Sequence, residues 1–198
     1  MGSLMIKPDL THCTSLENMY DEAHKAYIRD EQYNYKIHHD ALRQYASDCD
    51  TIKELGVMQG ISLASMMFSK PERVTGIDID ERRYRPYHKH FVKYAEDNGI
   101  EYKYILGSST DRALVTEVDL IHIDTLHKPE QLKKEMALHL PSVRKYAIFH
   151  DTTNYRSAAG LFVEIAKYIT EVDQNWRIIE HHTDWCGFAV LERYIREC

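Results

Sequence analysis

The sharpest chemistry in the sequence is carried by four side chains. Asp124 closes one apolar run, His150 and Asp151 close the next, and His127 follows Asp124 by three residues. Carboxylate oxygens and an imidazole at neighbouring strand ends can ligate a divalent cation, and this donor mix favours magnesium or manganese over a structural zinc site. A cation held by Asp124, His150 and Asp151 would polarise a hydroxyl and lower its pKa, so that an alkoxide or phenolate forms near neutrality. His127, whose type titrates at about 6.5, is then the candidate base beside Asp124, with Lys128 as its rival. The plainer reading has Asp151 capping the following segment and His150 packing in the core.

A second group lies upstream. Residues 51–62 (TIKELGVMQGIS) read as a buried strand, a glycine turn and the opening of a helix. Gly56 and Gly60 let a ligand approach the backbone, and the helix that follows points free amides at it, with the Ser62 hydroxyl in its first turn. The spacing is E-x-G-x-x-x-G from Glu54, which differs from the G-x-G-x-x-G of dinucleotide enzymes, and no phosphate-loop lysine follows. Asp78, some twenty residues on, is placed to accept both hydroxyls of a ribose, with Asp80 as the alternative. Gly107, Ser108 and Ser109 offer small polar groups to a base edge.

The elements that must position these residues alternate between strand and helix, the signature of a parallel sheet with crossovers. Strands are expected over 51–55, 73–77, 101–106, 118–123 and 146–149. Helices are expected from Gly60 to about 68, over 82–97, over 129–140 and over 158–169. Runs 176–180 and 187–191 read as an antiparallel pair that finishes the sheet. The first five strands each end in a small or acidic polar cluster, and strand carboxyl ends in an open parallel sheet face the ligand crevice. Upstream, two amphipathic helices are expected over 15–29, capped by Ser15, and over 37–46. Residues 1–50 are thus read as a helical cover and 51–198 as the core, one compact unit overall. Neighbouring His38 and His39 point in different directions on a helix, so they read as packing or surface histidines. His122 and His139 read as buried structural histidines, and Tyr84, Tyr87, Tyr155 and Trp185 as aromatic candidates for an acceptor pocket or for the core.

With 198 residues the chain can bury one substantial core. Its net charge of −6 and the short Arg82, Arg83, Arg85 group argue against a general nucleic-acid partner. No apolar run is long enough to span a membrane, so no membrane partner is expected. Four scattered cysteines without metal spacing suit a reducing, cytoplasmic setting. Homo-oligomerisation is left open.

Taken in order, these motifs resemble the class I S-adenosylmethionine-dependent methyltransferases. The likeness is greatest to the metal-assisted small-molecule and sugar O-methyltransferases, including the macrocin and cephalosporin-biosynthesis groups, and it runs over roughly residues 51–193. Residues 54–60 (ELGVMQG) are similar to the family's first motif and 76–78 (GID) to its second. Residues 123–127 (IDTLH) and 149–152 (FHDT) are similar to its metal-bearing strand ends, and 187–193 (GFAVLER) to its final strand.

The resemblance implies a Rossmann-like doubly wound α/β sheet, mostly parallel with a C-terminal antiparallel strand. It implies S-adenosylmethionine as cofactor, with the methionine carboxylate at Gly56 to Ser62, ribose at Asp78 and adenine near Ser108. It implies Mg2+ or Mn2+ at the strand ends and methyl transfer to a hydroxyl of a small molecule or sugar. Two positions depart from the pattern: His127 stands where catechol-type relatives carry a lysine base, and His150 where relatives often carry an acid. The alternative is a non-catalytic module that binds the cofactor or a nucleotide.

Overall fold

A computed structural model of the chain describes residues 8–153, 160–184 and 186–194. Two helices come first, α1 (Leu16–Arg29) and α2 (Tyr33–Ala46). Then follow β1 (Thr51–Leu55), α3 (Ile61–Met67), β2 (Arg73–Asp78), α4 (His88–Asn98) and β3 (Glu101–Leu106). The second half runs β4 (Val118–Ile123), α5 (Pro129–His139), β5 (Val143–His150), α6 (Leu161–Lys167), β6 (Trp176–His182) and β7 (Phe188–Arg193).

The strands form one sheet of seven in the order β3-β2-β1-β4-β5-β7-β6. β1 to β5 pair in parallel, and β7 lies antiparallel between β5 and β6. The sheet is Rossmann-like, mostly parallel, with the antiparallel C-terminal strand expected. Chain order reverses at β1: β2 and β3 go to one side, β4 and β5 to the other. That reversal opens a crevice at the carboxyl ends of β1 and β4.

Alternation along the strands feeds two cores. Ile52, Leu120, Ile148 and Val190 pack with α1 to α4 on one face, whereas Leu55, Ile121, Phe149 and Leu191 pack with α5 and α6 on the other. Period-two alternation places Glu54, His122 and His150 on the first face as well. Glu54 pairs with His122 in register, and His122 with Ile148. A polar row therefore runs across the carboxyl end of an otherwise apolar face, beneath α2.

The helix expected over residues 82–97 begins only at His88. Pro86 has no N–H for a helical turn and biases Arg85 away from helical backbone, so residues 81–87 form turns instead. These turns carry Tyr84 and Tyr87 into the core, at 1 % and 5 % exposure, rather than to a pocket. Tyr84 stacks on Tyr104 with centroids 4.2 Å apart. Tyr155, Trp185 and the start of the helix expected at 158 lie outside the described residues. α2 starts four residues before the expected 37, and β5 three before the expected 146. At the other end of the chain's first helix, Ser15 accepts from Asn18 N–H at 3.1 Å, the expected cap. Among the described residues no helix is long and apolar enough to cross a membrane.

Candidate active site

The turn between β1 and α3 is shaped by what it must avoid. Gly56 has φ +86°, and a Cβ there would lie 1.9 Å from the Asp124 carbonyl oxygen at the end of β4. Only glycine allows β4 to come so close while the backbone takes that conformation. Gly56 N–H donates to Ile77 O, and Asp124 N–H donates to Leu55 O. Asp78 completes the clasp. Its Oδ2 accepts from Val57 and Met58 N–H at 2.8 and 2.9 Å, and its Oδ1 accepts from Asp80 N–H at 2.9 Å. Glycine turn, Asp78 and Asp124 thus meet at one place, the switch point of the sheet.

Against this turn lies a small cavity open to solvent. Met58, Gly60 and Ser62 line it from the turn, Tyr35, His38 and His39 from α2, and His122, Asp124 and His150 from the strand ends. Tyr27 adds a wall from α1. Glu54 is fully buried beneath and accepts from His122 Nδ1 at 2.7 Å. Burial pushes its carboxyl up, while His122 and Ser62 favour the ionised form. Glu54 therefore braces His122 in the floor, and its carboxylate is not exposed to the cavity.

Across the crevice three donors gather. His127 Nε2 lies 2.6 Å from Asp151 Oδ2 and 3.3 Å from Asp124 Oδ1. Burial pulls the His127 imidazole down, but hydrogen bonds and charge from both carboxylates outweigh it and hold it up at about 9. Burial would likewise raise Asp124 and Asp151. The charge of His150 and the hydrogen bonds of His127 instead hold Asp124 well below the carboxylate range and Asp151 at about 2. Asp151 also has φ +56°, a left-handed backbone rare for a residue with a side chain and worth about 1–3 kcal/mol of strain. Two carboxylates closing on one imidazolium make a site built for positive charge, and the donor set fits a hard divalent cation.

The grouping differs from the sequence expectation in one respect. The atoms of Asp124, His127 and Asp151 lie within 4.8 Å of one another, and so, separately, do those of His38, His150 and Cys186. His150 faces the carboxylates only through Nδ1, at 3.7 Å from Asp124 and 3.3 Å from Asp151. His127, read from sequence as a base, has its Nε2 turned onto both acids. Burial lowers His150, yet the Asp124 charge raises it well above the ordinary imidazole.

On the far side of β1, Ser108 and Ser109 turn toward one another's neighbours and α5. Ser108 Oγ meets Thr110 Oγ1 at 2.9 Å, and Ser109 Oγ donates to Glu135 Oε1 at 2.5 Å. Thr125 and Gln131 also donate to Glu135, and His139 Nε2 donates to Ser109 O at 2.7 Å. Gly107 N–H donates to Asp78 O, which keeps this loop beside the ribose candidate. Glu135 was missed by sequence reasoning. Its signal was an acid set among Leu132, Met136 and His139 on the buried stripe of α5. His122 and His139 are buried and hydrogen bonded, as expected.

No family model matches the chain, and no curated protein matches it in sequence. Solved structures do resemble it. One is magnesium protoporphyrin IX methyltransferase from Synechocystis PCC 6803 with bound S-adenosylmethionine, 13 % identical, with 83 % of this chain and 82 % of that one covered at a TM-score of 0.64. The chain has the fold of a methyltransferase. A TDP-rhamnose 3′-O-methyltransferase of calicheamicin biosynthesis is 17 % identical, covering 92 % of this chain and 89 % of that one at 0.63. A protein from Corynebacterium glutamicum is 13 % identical, covering 87 % and 90 % at 0.65.

Proposed function

We propose that the protein is an S-adenosylmethionine-dependent O-methyltransferase acting on a hydroxyl of a small molecule or sugar, assisted by Mg2+ or Mn2+. The observation that carries this reading is the meeting of the glycine turn, Asp78 and Asp124 at the switch point, on a fold shared with methyltransferases. The Gly56, Val57, Met58 and Gly60 N–H groups are already engaged, so the N–H groups that open α3, with the Ser62 hydroxyl beside them, are the ones offered to a methionine carboxylate, and Asp78, fixed by three amides, keeps one lone-pair site for a ribose. Gly107 to Ser109 border the base position. Asp124, Asp151 and His127 would hold the cation, and His150 lies behind both acids at 3.7 and 3.3 Å.

When bound, the cofactor supplies an electrophilic methyl group and the cation supplies positive charge beside the acceptor oxygen. The residues of the chain do the rest. α2 and the turn would hold the acceptor against the strand ends, with Tyr27 and Tyr35 walling one side. The acceptor's hydroxyl proton would leave through the open side of the cavity to water, because Asp124, His127 and Asp151 are engaged in holding the cation. A non-catalytic binding module would leave that set without a role.

Titration calorimetry with S-adenosylhomocysteine is the test. Stoichiometric binding in the micromolar range, with or without Mg2+, is expected; no heat under either condition overturns the proposal.

A further inference from the structure

Behind the cation-binding acids lies a second donor cluster, of which the proposed methyl transfer calls on His150 alone. His38 comes from α2, His150 from the end of β5, and Cys186 from the turn into β7. All three are buried, at 2 %, 8 % and 7 % exposure. His150 Nε2 lies 3.1 Å from His38 Nδ1 and 3.6 Å from Cys186 Sγ. With metal–nitrogen and metal–sulfur bonds of about 2.05 and 2.3 Å, a tetrahedral zinc ion holds two nitrogens about 3.3 Å apart and a nitrogen and a sulfur about 3.6 Å apart. Both observed separations fall within a few tenths of an ångström of those a four-coordinate ion requires.

The surroundings orient the rings for the same purpose. The other nitrogen of His150 lies 3.3 Å from Asp151 and 3.7 Å from Asp124, near enough to feel both charges but with no hydrogen bond formed, which leaves Nε2 turned toward His38 and Cys186. His38 stacks on Phe188 at 4.8 Å and 17°, and His150 on Tyr35 at 5.8 Å and 24°. Nothing carboxylic is among the three donors, so the set is soft where its neighbour is hard. His38 and His150 face the cavity while Cys186 closes the site from behind.

We propose that His38, His150 and Cys186 form a binding site for a zinc-class divalent ion, with its fourth coordination position open to the cavity for water or a heteroatom of a bound molecule. Three protein ligands and one open position is the pattern of reactive rather than structural zinc. The proposal does not depend on methyl transfer, and the two cation sites differ in the metal they select.

Cobalt, a spectroscopic stand-in for zinc, tests it on the full chain after chelator treatment. One equivalent of Co2+ is expected to give a sulfur-to-cobalt charge-transfer band that Zn2+ abolishes and a large excess of Mg2+ leaves in place. Cys186→Ser should remove the band and weaken zinc binding by about 100-fold or more, and His38→Gln by at least about 10-fold. Cys13 and Cys49 remain as buried control thiols. In the unaltered protein, zinc should protect Cys186 from alkylation, a readout that needs no variant. Absence of the band, its persistence in Cys186→Ser, or alkylation of Cys186 at an unchanged rate in saturating zinc would each overturn the site.

Discussion

The two sides of the crevice neutralise their acids differently. On the β1–β2 side, Asp78 is held by three backbone N–H groups, so its place is set by the chain's own path. On the β4–β5 side, Asp124 and Asp151 are held by the imidazoles of His127 and His150. Backbone amides cannot leave. An imidazolium can be displaced, or can give up its proton and become a ligand, so the second pair of acids is the one that can exchange its positive partner. Under the proposed function, the difference suits preformed recognition on one side and ion-dependent chemistry on the other.

The comparison breaks most visibly where the two sides touch. Gly56→Ala forces a Cβ onto the Asp124 carbonyl at a φ of +86°, and should destabilise the protein by about 4 kcal/mol or more in urea unfolding. A loss below about 1 kcal/mol would mean that the sides are not in the contact described. Next comes a paired substitution. Asp124→Asn should weaken Mn2+ binding by about 100-fold while leaving S-adenosylhomocysteine affinity within a few-fold, and Asp78→Asn should do the reverse, with a cofactor loss of about 10-fold. Titrating both variants with both ligands checks this, and equal losses in the two would erase the distinction.

The smallest effect concerns a cation held by backbone groups. Buried Lys53 donates to Leu114 and Thr116 carbonyls, and burial first, with Arg73 second, lowers it to about 8. Its unfolded value lies near 10.4, so the unfolded chain binds more protons between these limits and Lys53 makes stability rise with pH across that window. Lys53→Met should remove that rise. Unfolding of both proteins at several pH values from 7 to 10 should show the variant losing ground to the parent by about 1–3 kcal/mol as pH increases, and parallel curves would refute it.

Legibility in the sequence followed the same division. Residues 51–55, 101–106 and 118–123 were read to the residue, because buried parallel strands form short apolar runs ended by glycine or acid. That Gly56, Asp78 and Asp124 meet was legible for the same reason: the end of a strand is visible, and a parallel sheet sends all such ends to one edge. Pairings that depend on side chains from distant elements were not. Adjacency on α2 rightly argued against His38 and His39 acting together, since His39 turns to His24 at 2.9 Å, but spacing gave no sign that His38 meets His150 and Cys186. Assigning His150 to the acids rested on adjacency to Asp151, whereas its two nitrogens serve two different clusters. Pro86 was the available warning that α4 could not begin at residue 82.

A crystal structure of the protein with S-adenosylhomocysteine and Mn2+ would show whether the glycine turn and the strand-end acids bind nucleotide and cation side by side. Nucleotide density is expected over the Gly56 to Gly60 turn with its ribose at Asp78, and an anomalous manganese peak between Asp124 and Asp151. Nucleotide bound away from that turn, or manganese bound only at surface carboxylates, would contradict it.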